Sequence, residues 1–186
     1  MQPEELALSP VGAAAEAGAW FEAMFRDQYP RLVAMLTRLT GDRGQAEEIA
    51  AEAFAKLARR SALFATREEP AAWVYRVATN AGLDALRARA RRRRSEAAAG
   101  VEQLRNAPSG GALEDLIRAE RAGRVRAILA TLKPREAQLL LLRSSGLSYR
   151  EIAETLGVQA GSVGTLLARA EREFERRYRA RHGDDL

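Results

Sequence analysis

The sequence has no cysteine. That excludes a disulfide framework, a cysteine-based zinc site and a thiol switch. Its one histidine, His182, lies in a polar stretch near the C-terminus. A surface residue is expected there, and no metal site. Aromatic residues make up only 6%, and Lys56 and Lys133 are the only lysines, so the positive charge is almost entirely arginine. No apolar run reaches the ~18 residues that a membrane span requires, so no membrane insertion is expected. The opening MQPEELALSP is acidic and lacks the compact apolar segment of a secretory leader, so a cytoplasmic location is expected. No nucleophile–histidine pair and no phosphate-cradling glycine loop is present. The carboxylates fall mainly on solvated helix faces. Neither enzymatic activity nor a cofactor is expected.

What the sequence does have is alanine, leucine and arginine at helical spacing. Its 186 residues can form one medium or two small domains. A net charge of +5 and a pI near 10.2 suggest a polyanionic partner. The fold class expected is all-α: two small helical domains joined by a flexible linker, with a helix-turn-helix in the C-terminal one.

Residues 1–18 are small, acidic and aperiodic, and read as a tail. The N-terminal domain is placed at 19–94. Trp20, Phe21, Met24, Phe25, Leu32, Val33, Leu36 and Leu39 recur at three- and four-residue steps, with Pro30 bending or restarting the helix. After the stop at Thr40-Gly41-Asp42, a second stripe runs through Ala46, Ile49, Ala50, Ala53, Phe54 and Leu57. Pro70 suits the first turn of a third helix, which runs into the arginine-rich stretch 87–94. Residues 95–112, containing Asn106-Ala-Pro-Ser-Gly-Gly, lack an apolar period and read as the linker. Little fixed contact between the two units is therefore expected.

The C-terminal domain is placed at 113–186. Ser148-Tyr-Arg-Glu151 has the form of a capping box, and Gly157 suits the left-handed turn that ends the short helix behind it. A second helix follows at tight spacing, the pattern of a helix-turn-helix, with an ordinary helical hairpin as the alternative. Its exposed positions are Gln159, Ser162, Thr165, Arg169 and Arg172, candidates for contact with base edges or phosphates. Gly161 and Gly164, unfavourable in a helix interior, suit a backbone that approaches something closely. The arginines at 87–94 read either as a backbone clamp on nucleic acid or as a solvated charge cluster. Trp73 fits a core as well as a stacking surface. Asn80 followed by Gly82 is hard to explain by packing.

Four segments carry a resemblance: YPRLVAMLTRLTGD (29–42), AEEIAAEAFAKL (46–57), PAAWVYRVATNAGLDALRARARRRR (70–94) and LKPREAQLLLLRSSGLSYREIAETLGVQAGSV (132–163). In their order and spacing they resemble the extracytoplasmic-function sigma factors, two-domain initiation subunits of bacterial RNA polymerase. The resemblance implies core RNA polymerase and promoter DNA as partners, with an anti-sigma factor or other regulator. It implies that Glu48, Glu52 and Phe54 dock on the polymerase clamp. It places Trp73, Tyr75, Arg76, Asn80, Arg87, Arg91, Arg92 and Arg93 at the downstream promoter element, with Asn80 near the pocket for an extruded base. Gln159, Ser162, Thr165, Arg169 and Arg172 fall at the upstream element. The chain departs from the family pattern at Ala51, usually Gln. It departs again at Gly164 and Leu166, where a basic residue and Arg are common. A stand-alone helix-turn-helix regulator binding duplex DNA is the alternative reading.

Overall fold

A computed structural model of the chain describes residues 10–60, 69–98 and 113–183. Seven helices and no strand occur among them. The helices are α1 (Pro10–Thr40), α2 (Arg43–Ala58), α3 (Pro70–Ala98), α4 (Leu113–Leu129), α5 (Pro134–Ser144), α6 (Tyr149–Leu156) and α7 (Ala160–His182). Two expected boundaries move. The helix begins at Pro10, so the tail ends earlier than residue 18, and α3 runs four residues into the expected linker. The rest of that linker lies outside the described residues.

Pro30 neither stops nor restarts α1, which continues through it. The lost N–H removes one hydrogen bond from a helix otherwise held by its packed face. Gly41, in the left-handed region at φ +72°, ends the helix. Asp42 then caps α2 by accepting the Gln45 N–H at 3.0 Å. Leu32, Leu36 and Leu39 of α1 pack with Ala50, Phe54 and Leu57 of α2 and Val74, Ala78 and Leu83 of α3. Gly82 has a packing role after all. A β-carbon there would lie 2.8 Å from Leu39 Cδ2 and 2.9 Å from Leu36 Cδ2, so the helices approach where glycine leaves room.

In the C-terminal half, Pro134 opens α5, and the Lys133 N–H donates to the Glu136 carboxylate at 3.1 Å. Ser148 and Glu151 form the expected capping box. The Ser148 N–H donates to Glu151 at 2.7 Å, and the Glu151 N–H to the serine hydroxyl at 3.3 Å. Gly157 closes α6 at φ +62°. Leu139, Leu142, Ile152, Val163, Leu167 and Ala170 are buried between α5, α6 and α7.

The two halves are not separate. α5 and α6 lie against α3, and the buried side chains form one continuous core running from Leu32 to Ala170. The expectation of little fixed contact fails here. The contact is made by α5 and α6, far along the chain from the linker whose composition suggested independence. Among the described residues no helix is long and apolar enough to cross a membrane.

Candidate nucleic-acid and polymerase interface

On α2 the apolar stripe points inward and leaves Glu48, Ala51 and Glu52 exposed together on the opposite face. Glu52 is shared between Lys56 Nζ at 3.5 Å and Arg59 Nη2 at 3.4 Å. All three side chains are about half exposed or more, so these pairs are weak. Phe54 does not belong to this surface. It is 1% exposed and sits edge-on to Phe25, ring centroids 4.9 Å apart. Its phenyl ring is core, placed there by the same helical periodicity that exposes its glutamate neighbours.

The α3 residues divide. Trp73 is buried, with the Arg60 guanidinium 5.6 Å from its ring centroid. Tyr75 is buried between α1 and α6; its hydroxyl is pushed up to about 12, first by desolvation, with Arg31 opposing and Glu151 and Asp27 reinforcing the shift. Neither aromatic offers a face to a base in this arrangement. Arg76 is half-buried. Asn80 is exposed by area, yet its Oδ1 accepts Gln138 Nε2 of α5 at 2.7 Å. Gln138 is itself 7% exposed and reaches Thr79 Oγ1 at 3.5 Å. Seven residues on, Arg87 donates to the Leu132 carbonyl at 3.2 Å and lies 3.8 Å from Asp84. From α1, Arg38 donates to Ser145 Oγ at 3.1 Å. Thus Asn80 and Arg87, expected to meet DNA, hold the C-terminal half. Arg91, Arg92 and Arg93 are exposed at the far end of α3.

On α7, Ser162, Thr165, Arg169 and Arg172 follow at spacings of three, four and three, one stripe along the helix. Thr165, Arg169 and Arg172 are exposed, and Ser162 is partly covered; Gln159 is the exposed N-cap. Arg172 Nε donates to the Ala168 carbonyl at 3.1 Å, which directs its side chain back along this face. A β-carbon at Gly161 would meet nothing within 4 Å, and one at Gly164 only Tyr149 Cε2 at 3.5 Å. Neither glycine is required by packing among the described residues. The second half of α7 carries its charge as pairs. Glu173 lies 2.8 Å from Arg176 and 2.6 Å from Arg177, which together hold its carboxyl down at about 2.

Three residues here were not singled out from the sequence. Tyr149, nearly half exposed, lies against Gly164, with Arg143 of α5 5.5 Å from its ring centroid. Its position directly after the capping serine places it at the rim of the turn, which was the available signal. Gln138 occupies the buried stripe of α5 with Leu141 and Leu142. A polar side chain on an apolar stripe was the sign that it has a partner elsewhere.

These features define a two-part helical protein whose second part is a helix-turn-helix. Comparison with known proteins gives the class. Residues 24–92 match the family model for sigma-70 region 2, and residues 122–174 that for sigma-70 region 4. The ECF RNA polymerase sigma factor SigE of Mycolicibacterium smegmatis is 28% identical over 172 residues, spanning 90% of this chain and 64% of that protein's length. The RNA polymerase sigma-H factor of Pseudomonas aeruginosa is 28% identical over 164 residues, 84% of each chain. Among solved structures, the sigma factor RpoE of Bartonella quintana, crystallised with the anti-sigma factor NepR, is 21% identical. It superposes with a TM-score of 0.51, over 84% of this chain and 94% of that one. The chain belongs to the sigma-70 family, among the extracytoplasmic-function sigma factors.

Proposed function

We propose that this chain is an alternative sigma factor that binds core RNA polymerase in the cytoplasm, directs it to promoter DNA and starts transcription without catalysing chemistry itself. The observation that carries this is the presence of sigma-70 regions 2 and 4 in order in one chain. The exposed Glu48 and Glu52 of α2 are proposed to meet the polymerase. The arginine end of α3 is proposed to grip the promoter backbone, and the α7 stripe to read the upstream element. An anti-sigma factor is proposed as a further partner, since the solved relative RpoE is bound to one. With Asn80 held by Gln138, a base that takes the Asn80 side chain must first displace that hydrogen bond.

Reconstitution with core polymerase on promoter fragments tests the reading. Wild type should co-elute with the polymerase and support run-off transcription. Glu52→Arg should lose both while keeping its helicity, because pairs this exposed contribute only ~0.2–1 kcal/mol to folding. Normal association by that variant would remove α2 as the docking face. Specific duplex binding by the chain alone, without polymerase association, would replace the reading with a stand-alone regulator.

A further inference from the structure

Arg143 stands exposed in the last turn of α5, where the chain turns toward α6. Its Nη1 donates to the Leu147 carbonyl at 3.4 Å, and its guanidinium carbon lies 5.5 Å from the centroid of the Tyr149 ring. Both contacts hold a long side chain that would otherwise sample solvent. Tyr149, the first residue of α6, is 46% exposed and reaches α7. Its Cε2 is 3.5 Å from where a β-carbon would stand at Gly164. Guanidinium, ring and the bare backbone of α7 thus lie in series. Among the described residues no carboxylate is in ion-pair contact with Arg143. By contrast, Arg150 of α6 pairs with Glu154 at 2.9 Å, and Arg176 and Arg177 of α7 share Glu173. The Arg143 charge is held in place and no acid cancels it.

We propose that Arg143 is a phosphate-contacting residue of the helix-turn-helix, set on the Tyr149 ring to supply the cation that Gly164 cannot. It rests on the proposed reading of the upstream element by α7, and adds a residue from outside both helices of the motif. When the second helix of such a motif lies in the major groove, the first crosses the sugar–phosphate backbone. The start of α6 then faces the phosphates of one strand, and Tyr149 holds Arg143 on that side. A guanidinium presents five donors in a planar fork suited to phosphate oxygens, and Arg143 uses one of them on Leu147. A contact to phosphate fixes the position of the motif on the duplex and carries no sequence information.

Holoenzyme reconstituted from the full chain and core polymerase tests this, titrated over a salt series with a promoter fragment and with versions altered in the upstream element. Arg143→Gln should flatten the salt slope by about one unit, alike for every fragment. Arg143→Lys, which keeps the charge, should keep the wild-type slope. Adding Gly164→Arg to Arg143→Gln should restore the lost unit, which repair of a folding defect would not do. Arg118→Gln on α4, whose charge is already paired with Asp115, should change nothing. An unchanged slope in Arg143→Gln overturns the proposal, as does a loss confined to one upstream sequence. Equal flattening by Arg118→Gln would make the effect one of net charge and overturn it too. If wild type joins the polymerase and Arg143→Gln behaves like it, this proposal alone falls. If wild type does not join the polymerase, the sigma-factor reading falls and takes this proposal with it.

Discussion

Replacing Gln138 with alanine should loosen the attachment of the C-terminal half without unfolding either half. The side chain is 7% exposed, and its amide donates to Asn80 at 2.7 Å across the contact between α5 and α3. Losing that hydrogen bond costs about 1 kcal/mol net. Asn80 is exposed by area and can turn to water, so no buried acceptor is stranded. Removing one buried methylene adds about 0.8 kcal/mol. Together these come to about 2 kcal/mol, a shift of roughly 30-fold in the ratio of open to closed molecules. The absence of native cysteine makes the assay simple, because thiols introduced at Glu22 and Arg181, both exposed, can be labelled without competition. Single-molecule energy transfer between the two dyes then counts open and closed molecules directly. A Gln138→Glu variant refines the reading, since a carboxylate cannot donate to Asn80 and can only accept, which requires the Asn80 amide to flip and present its Nδ2. The reasoning is refuted if Gln138→Ala leaves the open-to-closed ratio where it is in wild type, with circular dichroism unchanged.

Three further outcomes follow from the same geometry. Gly82→Ala should destabilise the protein by about 1–3 kcal/mol, read from the urea midpoint, because its β-carbon would press on Leu36 and Leu39. That sign is opposite to the intrinsic helix preference for alanine, so stabilisation would show that α1 and α3 stand further apart. The Glu173 carboxyl, held down at about 2 by Arg176 and Arg177, contributes stability that is fully present above its unfolded value near 4.5 and is lost as pH falls toward 2. Thermal melts of Glu173→Gln should lack that part of the acid decline, and high salt should shrink the difference because Arg176 is exposed to solvent and Glu173 partly so. Gly164→Arg should fold normally, since its β-carbon makes only ordinary contact with Tyr149, and should strengthen binding to promoter and scrambled duplexes alike. Its salt slope should steepen by about one unit, and identical slopes for the two proteins would place residue 164 away from DNA.

Local punctuation was readable in the sequence because it depends on neighbours in the chain. Asp42, Pro70, Pro134, the Ser148–Glu151 box and Gly157 all act within four residues of themselves, and each stands where its chemistry put it. Residues whose setting depends on distant partners were harder. Phe54 and Trp73 sit on helices whose functional stripes resemble those of the family, yet side-chain size and helix phase turn both into the core. The closed arrangement was misread for a related reason. Linker composition says whether the linker itself packs, but it carries no information about α5 and α6 against α3. Gln138 held the clue, but without its partner in view it was an unexplained polar residue among leucines. Gly82 shows the same limit from the other side, since its reason lies in Leu36 and Leu39, more than forty positions earlier.

The length of α7 has a mechanical consequence. At about 1.5 Å per residue, the path from the Ser162 end to Tyr178 is roughly 24 Å, far longer than a groove-reading segment needs. Tyr178 is buried, stacked toward Phe174, and α4 packs on α7, with Arg177 reaching the Thr131 carbonyl just after α4. The helix is therefore a lever whose fulcrum is that seat and whose working tip is the turn at Gln159. A tilt of about 5° at the seat would displace the tip by roughly 2 Å over that length, most of a hydrogen-bond distance. On the proposed role of α7, alignment in the groove is thus decided partly at the opposite end of the helix. Whatever presses on α4, whose Leu116, Ile117 and Val125 are exposed, steers the tip from a distance.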